Sequence, residues 1–386
     1  MIIDHLDILR ELISFKSITP KGIDALEYIE SLLKKQNFEC EIKSFGTGKE
    51  KTHNLYARFS RARPNICFAG HVDVVPPGNL DKWSYDPFTM HKIEDTIYGR
   101  GIVDMKGALA AALAASLNFI EVKKSNNKKF KGSISFLLTS DEEGTGKYGT
   151  CKMLEYINNK YLSNDQPIDF CILGEPTSEQ KVGDIVKIGR RGSINFDLVI
   201  NGYQGHVAYS DKTTNPINIM VKTLHHLQNI KLDKGTTFFQ SSNLEVTSID
   251  TNNQTRNIIP DKCSAKFNIR FNDLFDEKKL VDLIRQEIIK YHNNFTLDHH
   301  CSSKAFNQKH NNKFQEFINI IKKTTNIETI INNLGGTSDA RFIYKYAPVI
   351  EFGLKNAKAH KTNECCNIYD LQMLYKVYYS YLAEYL

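Results

Sequence analysis

Apolar residues recur along this chain with two alternating periods. Residues 22–38 (GIDALEYIESLLKKQNF) put Leu26, Ile29, Leu32 and Leu33 on one face of a helix, because side chains three and four apart share a face. Short strand-like runs follow at 39–45 and 54–59. NICFAGH (65–71) reads as an apolar strand ending on a polar residue. DMKGALAAALAASLNF predicts a small-residue helix with Asp104 at its N-cap. GSISFLLTS (132–140) and DFCILGEP (169–176) are two more apolar strands, each running into acids. Near-continuous apolar strands separated by helices predict an α/β fold with a mostly parallel mixed sheet covered on both faces.

The pattern changes after about residue 190. A strand at 194–200, a helix at 216–230, strands at 243–249 and 263–271, a helix at 276–292 and a strand at 295–300 follow one another. That order is βαββαβ, the ferredoxin-like α+β arrangement. The chain then resumes with a helix (313–325), a Gly335-Gly336 turn, an apolar strand (347–353) and a helix from Tyr369. The expected organisation is one catalytic domain, 1–189 and 303–386, with a domain inserted at 190–302. KKSNNKKFK (123–131) reads as a solvated basic loop.

Composition narrows the classes. With 386 residues the chain exceeds one domain of ~150 residues. Hydrophobic residues at 41% and charged residues at 24% are globular values and exclude a disordered chain. No apolar run reaches the ~18–20 residues of a membrane span; the longest attempt, Ala108 to Ile120, is broken by Ser116 and Asn118. The start MIIDHLDILREL carries acids where an export signal has a basic end and an apolar core. None of the eight cysteines forms a CxxC pair, which argues against a cysteine metal cage and for reduced thiols in the cytoplasm. The net charge of +6 is spread without a basic stripe, so neither nucleic acid nor membrane is an expected partner.

The chemistry gathers at the ends of the apolar strands. His71 and Asp73 follow the first, Asp141-Glu142-Glu143 the second and Glu175 the third. In open α/β sheets such groups converge beyond the carboxyl ends of the strands. A lone His there is more often a satisfied core histidine, and a lone Asp a helix cap. Their conjunction at successive strand ends points to metal. Imidazoles and carboxylates suit a zinc-like dication. His71, Asp104 and Glu175 could hold one ion. Asp104 could bridge to a second, held by Glu143 and a further histidine, for which His360 is the best candidate. Asp73 can fix an imidazole tautomer from behind. Glu142 is free to act as general base, and paired ions would make the reaction a hydrolysis.

The motifs GHVDVVPPG (70–78), GRGIVDMKG (99–107), TSDEEG (139–144), LGEPTS (173–178) and HKTNE (360–364) resemble those of the dinuclear-zinc aminoacylase and carboxypeptidase family. The resemblance runs from about residue 5 to the C-terminus. It implies two zinc ions per subunit, with cobalt able to substitute, on the metal ligands His71, Asp104, Glu143, Glu175 and His360. It implies Glu142 as proton shuttle, and His206, from the partner subunit of a homodimer, as oxyanion donor. Arg190, Asn257, Arg270, Thr337 and Ser338 match positions that line the family's substrate pocket, and the insertion matches its lid and dimerisation domain. The stretches GDIVKIGRRGSI (183–194), GYQGHVAY (202–209), NIIP (257–260), FNIRF (267–271) and GGTSDARF (335–342) favour a member that cleaves the amide of a small polycarboxylate. Acetylornithine deacetylases and aminoacyl peptidases are the alternatives within the family. Ser210-Asp211, Ala340 and Leu354-Lys355 depart from its usual residues. A metal-free scaffold would have lost ligands, and here every ligand type is present.

Overall fold

A computed structural model of the chain describes residues 2–127, 130–162, 166–309 and 311–386. The chain divides into two compact units: Met1–Ile188 with Gln308–Asn332 and Ser338–Leu386, and Gly189–Asn307 with Asn333–Thr337. The larger unit opens with helices α1 (His5–Ser14) and α2 (Ile23–Lys34), whose apolar stripes Ile8-Leu9-Leu12-Ile13 and Leu26-Ile29-Leu33 are buried. Strands β1 (Glu39–Phe45), β2 (Thr52–Phe59) and β3 (Asn65–His71) follow, then helix α3 (Gly107–Ser125), strand β4 (Ser133–Thr139), helix α4 (Thr150–Ile157) and strand β5 (Phe170–Leu173).

The smaller unit carries β6 (Gly192–Asn201), α5 (Pro216–Asn229), β7 (Asn243–Asp250), β8 (Lys262–Phe271), α6 (Glu277–Ile289) and β9 (Phe295–Ser303). Its sheet has the order β7-β8-β6-β9 with every neighbouring pair antiparallel. Along β8 buried and more exposed residues alternate, the pattern of a sheet with one face on a core. Phe196 and Phe267 stack on that face, their ring centroids 4.9 Å apart. The segment Asn333–Thr337, expected in the larger domain, clusters with this unit; Arg190 Nη1 donates to the Gly336 carbonyl at 3.2 Å.

The larger unit is completed by α7 (Asn312–Thr325), β10 (Val349–Glu351) and α8 (Ile368–Tyr385). Its sheet runs β1-β2-β4-β3-β5-β10. The strands β4, β3, β5 and β10 are parallel, while β2 pairs antiparallel with β4 and β1 antiparallel with β2. Strands β3, β4 and β5 are buried at every residue, which is why their sequences are mostly apolar; the buried polar pair Ser135 and Asn65 is hydrogen-bonded. The stretch Ile102–Ser125 is long and apolar enough to cross a membrane, yet 94% of its apolar window is buried in the fold. Alanine on most faces lets α3 fit between α1 and α8. The basic stretch at 123–131 is a loop only in part, because α3 continues to Ser125; Lys128 and Lys129 lie outside the described residues.

Candidate metal centre

Strands β3, β4 and β5 end side by side, and the acids and histidine beyond them meet at one edge of the sheet. Two glycines make the approach possible. A Cβ on Gly70 would lie 2.5 Å from Met105 Cε, and one on Gly174 would lie 2.5 Å from Met105 Cε and 2.8 Å from Ala108 Cβ. The residues before His71 and Glu175 are therefore small because the turn carrying Asp104 comes down onto them.

Asp104 does not cap α3. The helix starts at Gly107, and Asp104 sits in the preceding turn with extended torsions (φ −124°, ψ 92°). Its carboxylate is instead held between two imidazoles: Oδ1 is 3.1 Å from His71 Nε2, and Oδ2 is 3.1 Å from His360 Nε2. His360 Nε2 also lies 2.8 Å from Glu143 Oε1. One atom each from His71, Asp104 and Glu143 lie within 4.8 Å of one another, and so do atoms of His71, Glu142 and Glu175. Two imidazoles and four carboxylates thus crowd together beyond the strand ends; His71 belongs to both clusters, and Asp104 links His71 to His360.

The support behind the ligands differs in one respect from expectation. His71 Nδ1 donates to the main-chain carbonyl of Asp73 at 2.8 Å, while the Asp73 carboxylate is 3.6 Å away. The carbonyl fixes the tautomer and leaves Nε2 for a ligand role. The carboxylate of Asp73 is turned to accept the backbone N–H of Glu142 at 3.3 Å and of Glu143 at 3.1 Å. It positions the two glutamates rather than the histidine.

The electrostatics follow from burying several acids beside two imidazoles. Burial, reinforced by Asp339, Glu143 and Asp104 against the pull of His71, pushes the Glu142 carboxyl well above the usual range. Burial raises Asp73 to about 6. Hydrogen bonds to Asp104 and Glu143 raise His360 to about 10. Burial pushes Asp104 up too, but the bonds from His360 and His71 outweigh it and hold it below its ordinary value. This many carboxylates, with two imidazoles among them, form a donor set whose chemistry suits divalent cations.

The remaining expected residues fall on both units. Ser338 is buried in the larger unit, and its hydroxyl donates to Glu351 Oε1 at 2.8 Å. His206, Asn257, Arg190, Arg270 and Thr337 belong to the smaller unit. His206 and Asn257 are brought together by a short ribbon, in which Gly205–His206 pairs with Ile258–Ile259 and Val207 N donates to the Asn257 carbonyl at 3.1 Å. Arg270 sits half-buried on β8, its guanidinium without a hydrogen bond or ion pair among the described residues, and burial lowers its pKa. Arg191, a residue not assigned from the sequence, is lowered by burial and then by Arg270. Two neighbouring guanidiniums with no carboxylate paired to them among the described residues suit an anionic ligand.

Two further residues went unassigned although their motifs were visible. Glu364 is fully buried and accepts from Gly101 N (2.9 Å), Val103 N (2.8 Å), Asp104 N (3.2 Å) and Arg100 Nη1 (2.7 Å). Lys106 is also fully buried and donates to the carbonyls of Leu12 (2.8 Å) and Phe15 (3.0 Å), tying the Asp104 turn to α1. Their positions in HKTNE and DMKG were the only signal; which groups they touch is a property of the folded chain.

Comparison with known proteins agrees with this geometry. The model of peptidase family M20/M25/M40 matches residues 67–384. A succinyl-diaminopimelate desuccinylase of Rickettsia bellii is 51% identical over 385 residues, covering 98% of this chain and 96% of its own. Among solved structures, an M20-family metallo-carboxypeptidase from Sulfolobus solfataricus superposes with a TM-score of 0.77 at 20% identity, covering 98% of both chains. A dinuclear metal-binding peptidase of the M20 family from Bacillus subtilis gives 0.65 at 13% identity, over 98% of this chain and 96% of its own.

Proposed function

The chain belongs to peptidase family M20/M25/M40 and is a metal-dependent amide hydrolase, and from that membership we propose that it cleaves N-succinyl-LL-diaminopimelate to succinate and LL-diaminopimelate, a step of lysine and diaminopimelate biosynthesis. The substrate is taken from the desuccinylase relative and is supported by the arginines of the smaller unit, which suit a molecule with three carboxylates. The reaction class rests on one observation: the Asp104 carboxylate offers one oxygen to each of two imidazoles, with the carboxyl of Glu142 beside them.

In this reading His71, Asp104 and Glu175 would hold one zinc ion and Asp104, Glu143 and His360 the other, and cobalt would substitute. When bound, such a pair polarises a carbonyl and lowers the pKa of water. The chain's own residues handle the proton. Glu142, clustered with His71 and Glu175, takes a proton from the attacking water as its oxygen bonds to the amide carbon. The C–N bond breaks from the tetrahedral oxyanion, and the same carboxyl hands its proton to the departing amine. Asp73 keeps Glu142 in place through its backbone N–H. His206, provided by a second copy of the chain in a homodimer, stabilises the oxyanion. Arg190, Arg270 and Asn257 orient the carboxylates, with Thr337 and the backbone at Ser338. The smaller unit serves as lid and dimerisation domain, and the enzyme works in the cytoplasm.

The test is a substrate comparison with purified, zinc-loaded protein. Release of succinate from N-succinyl-LL-diaminopimelate should exceed turnover of acetylornithine or dipeptides by orders of magnitude. Predominant turnover of acetylornithine or a dipeptide overturns the assignment.

A further inference from the structure

The geometry points to Glu364 as a positioning residue that holds one of the two metal sites together and leaves the other largely alone. The inference rests on the two-metal reading above. The first ion's ligands include His71 at the end of β3 and Glu175 just beyond β5, residues anchored by strands buried at every position. The second ion draws on Asp104 and His360, and neither stands on a strand or a long helix. Asp104 lies in the turn at 102–106. His360 lies in the loop after the short helix Asn356–Lys358, with its backbone in the left-handed region at φ +60°.

Glu364 joins these two loops. Its carboxylate gathers three consecutive-turn N–H groups, those of Gly101, Val103 and Asp104, and the Arg100 guanidinium. It stands four residues after His360 in the same loop. The N–H groups of Gly101, Val103 and Asp104 are thereby paired in the interior, and the loop bearing His360 is drawn to the turn bearing Asp104. A carboxylate that satisfies several buried donors is hard to replace, because each donor left unpaired is costly. Removing it should loosen Asp104 and His360 together. The second ion would then keep only Glu143 firmly placed, whereas the first would keep His71 and Glu175.

The experiment is a zinc titration of metal-free wild type and Glu364→Gln by calorimetry with a competing chelator, repeated with cobalt by visible absorption. The wild type should take two ions. In Glu364→Gln one ion, the one that His360→Ala also retains, should bind as in the wild type, and the other should lose about 10–100-fold in affinity, the range for partners that orient metal ligands. Equal weakening of both ions, or of neither, overturns the proposal. If the Gln variant lacks a cooperative melt, Glu364→Asp, which keeps the charge, is titrated in its place with the same two outcomes. Failure of both variants to fold also overturns it, since Glu364 would then be a general folding residue. A wild type that takes up no second ion is a different result: it sinks the two-metal reading, and this inference with it.

Discussion

Glu142→Gln is the sharpest perturbation of the proposed mechanism. The substitution keeps the side chain's shape and removes its ability to carry a proton. Its backbone stays anchored, because the Glu142 N–H is held by Asp73 and does not depend on the side chain. General acid–base catalysis contributes about 10²–10⁴-fold. Glu142 acts first as base and then as acid, so the upper end applies. A loss of about 10⁴-fold in kcat corresponds to about 5.4 kcal/mol, at 1.36 kcal/mol per tenfold. The protein itself should not suffer. Burial and the charges of Asp339, Glu143 and Asp104 already disfavour an ionised Glu142. A carboxyl raised in the folded state opposes folding once the pH passes its unfolded value of about 4.3, and the opposition grows up to the folded pKa. The neutral amide removes that opposition, so metal-free Glu142→Gln should melt at or above the wild-type temperature at pH 7. The assays are succinate release under saturating substrate, metal content by mass spectrometry and calorimetric melting. Turnover within tenfold of wild type at full metal content would falsify the proton-shuttle role.

Other perturbations give separate readouts. His360→Ala removes the imidazole shared by Asp104 and Glu143, and metal analysis should then find one ion per chain instead of two. Arg270→Met should raise KM about 10–100-fold with kcat little changed, the loss of one charge-assisted contact of about 1.5–3 kcal/mol. In Gly353→Ala the new Cβ would fall 2.4 Å from Glu175 O and 2.5 Å from Gly174 O. Those are backbone atoms beside a ligand, so a loss of about 3 kcal/mol in unfolding free energy is expected, together with weaker metal retention. Burial pushes Asp169 up, but Arg63 and the Asn65 N–H outweigh it and hold its carboxyl below the ordinary range. Its contribution is therefore present above about pH 4 and is lost as pH falls through the folded pKa. Urea unfolding should show Asp169→Asn less stable than wild type at pH 7 and the gap narrowing towards pH 3; a gap independent of pH refutes this.

What the sequence determined by itself was the set of elements and the set of ligand types. The strands β3, β4 and β5 are buried on both faces, so their runs are predominantly apolar and their polar ends stand out. The βαββαβ order of the smaller unit is visible because β6 and β8 alternate buried and exposed positions. Tertiary structure decided how groups far apart in the chain face one another. Asp104 looked like a helix cap because its neighbours looked helical, but the imidazoles of His71 and His360 draw its carboxylate away from α3. The Asp73 carboxylate looked like a partner for His71, but the turn after β3 brings the carbonyl closer and aims the carboxylate at two N–H groups from β4's loop. Glu364 stood in a visible motif, but nothing local named its partners, which lie some 260 residues upstream. Periodicity and residue type are local properties written into the chain; hydrogen-bond partners across a sheet edge are set by packing, and only the folded molecule specifies them.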